Sequence, residues 1–367
     1  METAIEPSTS SQQEAQNLTG HIESLDAEEG TPPLLRTLYV LEHGLNVFRK
    51  GERLVVSFTR NIPPIHDIPI HKLDQIVLQA NACITTGALS LCAEHEVSIC
   101  FADHGGHCYA MLDTLAASAV ELRRDQFLNH LDDTRRLTLA RAFVVGKIAN
   151  ARRLITRYGR NHTLPKLDAQ TLELATMEQH AEQSTHTEHL QGCEGNAARI
   201  YFGALADMLP AEWAFDGRTR QPPADPFNAM LSYGYAMLFS TVSHLIRQRG
   251  LDPHIGYLHA LRDRHAALAS DLMEEFRALI VDTTVLQLVF SNHVKPADFT
   301  QEETGFCRMN NETRKRLIHA LERRLNTEIT HPIAHLKMDY RRAIRYQVHH
   351  LAQVIQDRSV YQPFVLP

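Results

Sequence analysis

The sequence predicts an α+β protein in which a small N-terminal β-rich domain, residues 36–115, precedes a larger all-α C-terminal domain, residues 116–367. Two observations carry this. Short β-prone runs separated by glycines fill residues 36–112, and from Ala116 the apolar residues switch to a helical period. A third observation sets the front boundary. Residues 1–35 are rich in Glu, Ser, Gln and Thr and contain no aromatic residue, so they are expected to form a disordered acidic tail that ends at Pro32-Pro33.

Strands are expected over 37–41, 45–48, 53–58, 75–79, 97–102 and 107–112. Gly44, Lys50-Gly51 and Gly105-Gly106 supply the turns between them, and one short helix over 86–94 interrupts the series. The helical half begins with 119–157, read as one long basic helix or a helix pair, followed by 168–182 and 194–209. Pro222-Pro223 marks a break before a helix over 226–249, which Gly250 stops and Pro253 keeps from continuing. His259 falls in the connection or in the first turn after it. The next helix is expected over 266–288, then a loop over 295–305, then two basic helices over 311–326 and 335–356.

Composition narrows the function. Hydrophobic content of 44% and charged content of 22% are those of a globular chain. No run of 18 apolar residues suggests a membrane span, and no basic start with an apolar core suggests a secretory signal, so cytoplasmic residence is the expectation. The cysteines at 83, 92, 100, 108, 193 and 307 include no CxxC pair, which argues against a zinc ribbon. The eight-residue spacing of Cys92, Cys100 and Cys108 is read as small buried residues of a reduced protein. The net charge of −6 is unevenly spread: residues 1–30 hold seven acidic and no basic side chains, leaving about +1 on the remaining 337 residues. Residues 121–166 carry eleven basic side chains against four acidic, and residues 308–345 carry ten against four. Such segments suit a phosphate-tracking surface, and equally a solvated helix face.

Three polar segments in apolar surroundings read together as one metal site. Glu194 opens the first, His259 closes the second, and the third carries Asp271 and Glu274. Asp271 and Glu274 are three apart and so share a helix face, an arrangement that repels unless a cation or solvent intervenes. Glu194, His259 and Glu274 are the proposed ligands, with Asp271 beside them. Two carboxylates and one imidazole suit Mg²⁺ or Mn²⁺ better than structural zinc. Taken singly, each carboxylate reads as readily as an ordinary surface residue, and one of 22 histidines carries little weight.

Five motifs occur in order: Glu194-Gly-x-Ala-Ala-x-x-Tyr-Phe, Arg218-x-Arg-x-Pro-Pro-x-Asp225-Pro-x-Asn228-Ala, Leu231-Ser-Tyr-Gly-Tyr-Ala, Gly250-Leu-Asp-Pro-x-Ile-Gly-Tyr-Leu-His259 and Leu268-Ala-x-Asp-Leu-Met-Glu274-Glu-Phe-Arg277. Through them the chain resembles the universal CRISPR-associated integrase/endonuclease family, the catalytic subunit of the spacer-acquisition complex, over residues 38–277. The resemblance implies metal ligands at Glu194, His259 and Glu274, with Asp271 as an acidic helper. It implies a metal-dependent enzyme of Mg²⁺ or Mn²⁺ that inserts captured DNA into a CRISPR array by 3′-hydroxyl attack and also cleaves DNA. It further implies a β-rich domain that dimerises, a helical domain that is catalytic and binds double-stranded DNA, and a homodimer joined to a small ferredoxin-like CRISPR-associated partner dimer as a heterohexamer. The acidic tail departs from family members that begin near their first strand. Arg218 and Arg220 stand in a loop as candidate DNA clamps, or as partners of Asp216 or Asp225. Arg123, Arg124, Arg152 and Arg153 are candidate backbone contacts on the basic helix, as are Arg135 and Arg136. The alternative is a helical metal-dependent hydrolase of a nucleotide or small molecule using His254, His259, His265, Asp271 and Glu274, although the chain has no HExxH, Gly-rich phosphate loop or GxSxG. A non-catalytic DNA-binding scaffold is a third possibility, against which the intact ligand set argues.

Overall fold

The computed structural model describes residues 36–59, 63–79, 81–112, 119–159, 165–219 and 222–367. The expected tail over 1–35 lies outside the described residues. The chain divides into two compact units, Met1–Ala116 and Ala117–Pro367.

The first unit is built from two four-stranded sheets. One runs β1 (Arg36–Val40), β5 (Leu73–Leu78), β7 (Ser98–Ala102), β8 (Cys108–Leu112), with only the last pair antiparallel. The other runs β4 (His66–Pro69), β3 (Arg53–Ser57), β2 (Asn46–Lys50), β6 (Cys83–Ile84). Branched aliphatic side chains at alternate positions, Val47, Leu54, Val56, Ile76 and Ile99 among them, turn inward to one core. The helix α1 (Thr86–Glu94) adds Ala88, Leu91 and Cys92, and Thr85 caps it by accepting a hydrogen bond from the Ala88 amide. Cys92 and Cys100 are buried, and burial pushes the Cys92 thiol up to about 11, so it packs as a small apolar group. The sequence reading lacks β4 and β6. The first is polar and ends in proline, the second has two residues, and neither shows an alternating apolar pattern.

The second unit is mostly helical. Its helices are α2 (Val120–Leu131), α3 (Asp133–Gly159), α4 (Pro165–Glu182), α5 (Thr187–Met208), α6 (Pro226–Gln248), α7 (Ala267–Arg277), α8 (Thr283–Phe290), α9 (Asn311–Leu325) and α10 (Tyr340–Ile355). The residues read as one helix or two are a pair. Asp132 breaks them and caps the second by accepting from the Thr134 and Arg135 amides. The buried α6 packs on α7, and α3 packs on α4, α5 and α7. Gly250 has φ +88° at the end of α6, where a Cβ would come within 2.5 Å of the Ala119 Cβ. Residues 251–266 then cross without helix or strand to α7.

Four expectations need correction. The helix of Glu194 starts at Thr187, so Glu194 sits inside it instead of opening it. Its buried stripe through Leu190, Cys193, Ala197 and Ile200 begins earlier than the reading allowed, because Gly192 and Gly195 weaken the helical signal there. The last helix begins at Tyr340, five residues later than expected. Lys337–Asp339 pairs as a strand with Glu328–Thr330, and Asp339 caps the helix. The expected loop 295–305 contains half of a second hairpin, Phe299–Gln301 with Cys307–Met309, so the unit is not purely α. Strands of three residues are too short to show a period. Finally, α7 and α8 form one run interrupted by a π-helical turn at Ala278–Asp282.

Candidate metal centre

The loop before α7 is tied down by one carboxylate. Asp271 is wholly buried on α7 and accepts the backbone amides of Tyr257 (2.5 Å), Leu258 (3.0 Å) and His259 (3.0 Å). Gly256 makes this approach feasible, since a Cβ there would lie 2.7 Å from Asp271 Oδ2 and 2.8 Å from the Ala267 carbonyl carbon. The same carboxylate stands 2.6 Å from His259 Nδ1. An ionised carboxylate only accepts, so Nδ1 carries the proton and Nε2 keeps its lone pair for another partner. Burial pulls the His259 pKa down, but the hydrogen bond and charge of Asp271 and the charge of Glu274 outweigh it, and the net shift is upward. Both Asp271 oxygens are thus used up within the protein.

Glu194 and Glu274 are brought together from α5 and α7. Between them lies the ammonium of Lys147 on α3, which contacts Glu194 Oε1 and stands 3.0 Å from Glu274 Oε2. That oxygen is buried and makes no well-aligned hydrogen bond, so the ammonium is its facing charge. Glu274 Oε1 accepts from Arg277 Nη1 at 2.6 Å. Burial raises the Glu274 pKa, but Arg277, Lys147 and His259 together hold it down at about 2, so it is a carboxylate at neutral pH. Glu194, with 28% of its side chain exposed, lies nearer solvent than Glu274 at 4%. Sequence reasoning missed Lys147. Its signal was a lone charge inside the apolar run Phe143-Val-Val-Gly-Lys-Ile-Ala.

Behind Glu274, the Arg277 guanidinium lies 4.2 Å over the Tyr235 ring. The hydroxyls of Tyr201 and Tyr235 each donate to Asp282 at 2.6 Å. Asp282 reaches them from the π-helical turn. Burial pushes its pKa up to about 6 despite both tyrosines.

The candidate arginines are placed as follows. Arg123 Nε donates to the Gly250 carbonyl (3.0 Å), at the end of α6. Arg124 is exposed and pairs with Asp125. Arg135 pairs with Asp357 and Arg136 with Asp133. Arg152 pairs with Glu178 at 2.9 Å, while the Nη1 of half-buried Arg153 makes no hydrogen bond. Arg218 donates to Asn228 Oδ1 (2.8 Å) and Ser232 Oγ (3.0 Å) and lies 5.3 Å from the Tyr235 ring centroid. Arg220 lies outside the described residues. His265 stacks on Phe239 and meets the His259 ring edge, and His254 faces Asp252.

Among the described residues no three His, Cys, Asp or Glu side chains converge closely enough to form a ready cage for a metal ion. The donors nonetheless fit a hard divalent cation. Two carboxylates already share one cation, one buried oxygen lacks an aligned donor, and the His259 imidazole, held by Asp271 through Nδ1, offers Nε2 as a donor whenever the ring is neutral.

The profile of the family described as CRISPR associated protein Cas1 matches residues 38–323. A CRISPR-associated endonuclease Cas1 of Thermus thermophilus is 35% identical over 330 residues, 90% of this chain and 97% of that protein. Among solved structures, a casposase bound to integration product superposes with a TM-score of 0.79 at 22% identity, covering 91% of this chain and 94% of that one. A Cas6-RT-Cas1–Cas2 complex gives 0.76 at 23% identity, covering 93% of this chain and 37% of that one. At these identities the two structures speak for the fold. The chain belongs to the Cas1 family and is a CRISPR-associated endonuclease. Among the described residues no helix is long and apolar enough to cross a membrane.

Proposed function

We propose that Glu194, His259 and Glu274 hold a divalent ion, Mg²⁺ or Mn²⁺, and that the centre both cleaves DNA and joins the 3′-hydroxyl ends of captured fragments to a CRISPR repeat. The observation that carries this is the convergence of two carboxylates from separate helices on one ammonium, next to an imidazole fixed in one tautomer. The bound ion would supply Lewis-acid polarisation of the phosphate and stabilise the leaving oxygen. The protein does the rest. Asp271 holds the His259 ring and keeps its proton on Nδ1, Arg277 holds Glu274 in place, and the charges of Arg277 and Lys147 keep Glu274 ionised against its burial. Cleavage and strand transfer differ only in which oxygen is positioned for attack, water or a 3′-hydroxyl.

Concerted insertion at both ends of a repeat needs two centres at a fixed distance. The proposal therefore includes a homodimer built through the β-rich domain, double-stranded DNA as substrate, and a small ferredoxin-like partner dimer completing a heterohexamer. The Cas1–Cas2 assembly of the structural neighbour supports that reading. The test is DNA binding and reaction across a salt series, in EDTA and in Mn²⁺, with a repeat-containing plasmid and a duplex bearing free 3′-hydroxyl ends. Binding in both conditions with cleavage and joining only in Mn²⁺ is expected. Joining in EDTA would sink the metal reading, and loss of all DNA affinity would sink the substrate.

A further inference from the structure

Two pairs of neighbouring residues each have one member at the metal centre and one on a different face of their helix. On α7, Glu274 faces Lys147 and Arg277, while Glu275, also wholly buried, faces the segment Tyr361–Leu366. Consecutive helical residues point about 100° apart, so one short stretch of helix serves both sides. Glu275 Oε1 accepts from the Tyr361 hydroxyl at 2.7 Å. Its Oε2 accepts from the Phe364 amide at 2.8 Å and from Gln347 at 3.0 Å. On α3, Lys147 reaches Glu194 and Glu274, while Gly146 lies under the same segment. A Cβ at 146 would come within 2.8 Å of the Pro363 Cβ and 3.2 Å of the Glu275 Cγ. One turn along α3, Asn150 donates to the Glu275 carbonyl (2.8 Å) and the Phe364 carbonyl (2.7 Å). The Phe364 ring is fully buried and stacks on Phe276 with centroids 4.9 Å apart.

From this geometry we infer that the segment Tyr361–Leu366 is a strap that sets the spacing of α3 against α7, with Glu275 as the positioning residue through which it holds Glu274 in register with Lys147 and Glu194. A simple packing role would not need a buried carboxylate with three donors directly behind a metal-ligand candidate. The strap bonds to both helices at the level of the site and at the residues adjacent to the site's own. Loosening it shifts Glu274 relative to Glu194, and the metal affinity falls while both ligands remain in the sequence.

The inference rests on the metal reading above, so the experiment separates the two. Mn²⁺ binding to the full-length protein is measured by calorimetry for wild type, Glu274→Ala, Glu275→Gln and Gly146→Ala, with circular dichroism and DNA binding in EDTA alongside. Glu275→Gln keeps the volume but presents an amide that cannot accept all three donors. Gly146→Ala pushes the strap away from α3 and crowds the Glu275 stem while leaving its carboxyl group chemically unchanged. Both should weaken Mn²⁺ binding about 10- to 100-fold, the usual cost of losing the support behind a ligand, while DNA affinity in EDTA stays at the wild-type level. If both variants are folded and bind Mn²⁺ within twofold of wild type while Glu274→Ala loses it, the strap does not position the centre. If Glu274→Ala binds Mn²⁺ like wild type, the metal reading itself falls and takes the strap with it. Should Glu275→Gln fail to fold, Tyr361→Phe removes a single donor from the clamp and is judged in the same way on a smaller shift.

Discussion

The loop side and the helix side of the centre anchor their carboxylates by opposite means. Asp271 and Glu274 stand three residues apart on α7. The first is neutralised by three backbone amides and an imidazole, the second by an arginine and a lysine. Backbone amides are fixed by the fold and cannot leave, so Asp271 is committed to holding the 257–259 loop. A lysine ammonium rides on a flexible stem and can be displaced, so in the proposed centre Glu274 and Glu194 would exchange one cation for another. Two carboxylates spaced to share a helix face thus do different work, and what separates them is the mobility of their donors.

The comparison breaks most visibly at the exchangeable end. Glu194→Ala and Glu274→Ala should each reduce Mn²⁺-dependent cleavage and joining to background while DNA binding in EDTA persists. Wild-type joining by either variant would remove that residue from the ligand set. Lys147→Met should leave Glu274 Oε2 without its facing charge while Arg277 still holds Oε1, a loss of about 1–3 kcal/mol. The loss should show as a lower Tm in EDTA and should be largely recovered on adding Mn²⁺, because the divalent ion takes over from the ammonium. A Lys147→Met protein equally stable in both conditions would show that the lysine does not stand in for the ion.

The sequence displays only part of this arrangement. The β-rich then helical order is plain from the change of apolar period at about residue 116 and from glycines at the turns. Gly250 is legible as a helix stop because φ +88° there suits glycine. Glu194 and Glu274 attract attention as carboxylates in apolar surroundings, but nothing local reveals the lysine that joins them, since Lys147 lies 47 and 127 positions away. Three-residue spacing puts Asp271 and Glu274 on one face and cannot show that a loop folds back to consume one of them. The π-helical turn and the pairing of Tyr201 and Tyr235 on Asp282 are likewise tertiary events. Among the basic doublets, spacing shows that two neighbours diverge but not that Arg135, Arg136 and Arg152 are met by Asp357, Asp133 and Glu178.

Asp282 extends the comparison to a third kind of donor, the neutral hydroxyl. With its pKa raised to about 6 in the fold against an ordinary 3.8, the folded protein binds the extra proton between those values. Stability from this group is therefore full below about pH 4 and is lost as pH rises through about 6, by about 3 kcal/mol at most. Buried His244 and His331, both lowered to about 4 with burial as the first cause, act in the opposite sense over much of the same window, so wild type alone would hide the effect. Asp282→Asn exposes it by difference. Relative to wild type, the variant should gain stability between pH 4.5 and 7.5 in urea unfolding, and a constant difference would mean that the carboxyl is already ionised at the lower pH.

The smallest expected effect sharpens the comparison most, because it tests the fixed end. Asp271→Asn keeps the side-chain size and one carbonyl oxygen. The amide cannot receive three backbone N–H groups and the imidazole together, and its NH₂ faces donors where a second acceptor stood. The His259 ring then loses the partner that keeps the proton on Nδ1, and the Nε2 lone pair is no longer reserved for a ligand. Since Asp271 is spent inside the protein, the centre should still assemble, with Mn²⁺ affinity and turnover down about 10- to 100-fold instead of abolished. The pH profile separates this from simple loss of stability. The bond and charge of Asp271 hold the His259 pKa above its ordinary value, against burial, so in the variant the imidazole should lose its proton at lower pH and the acid limb of the Mn²⁺-binding curve should move down. A variant as inactive as Glu274→Ala would place Asp271 among the ligands themselves, and one with wild-type affinity and an unmoved acid limb would reduce it to a loop staple.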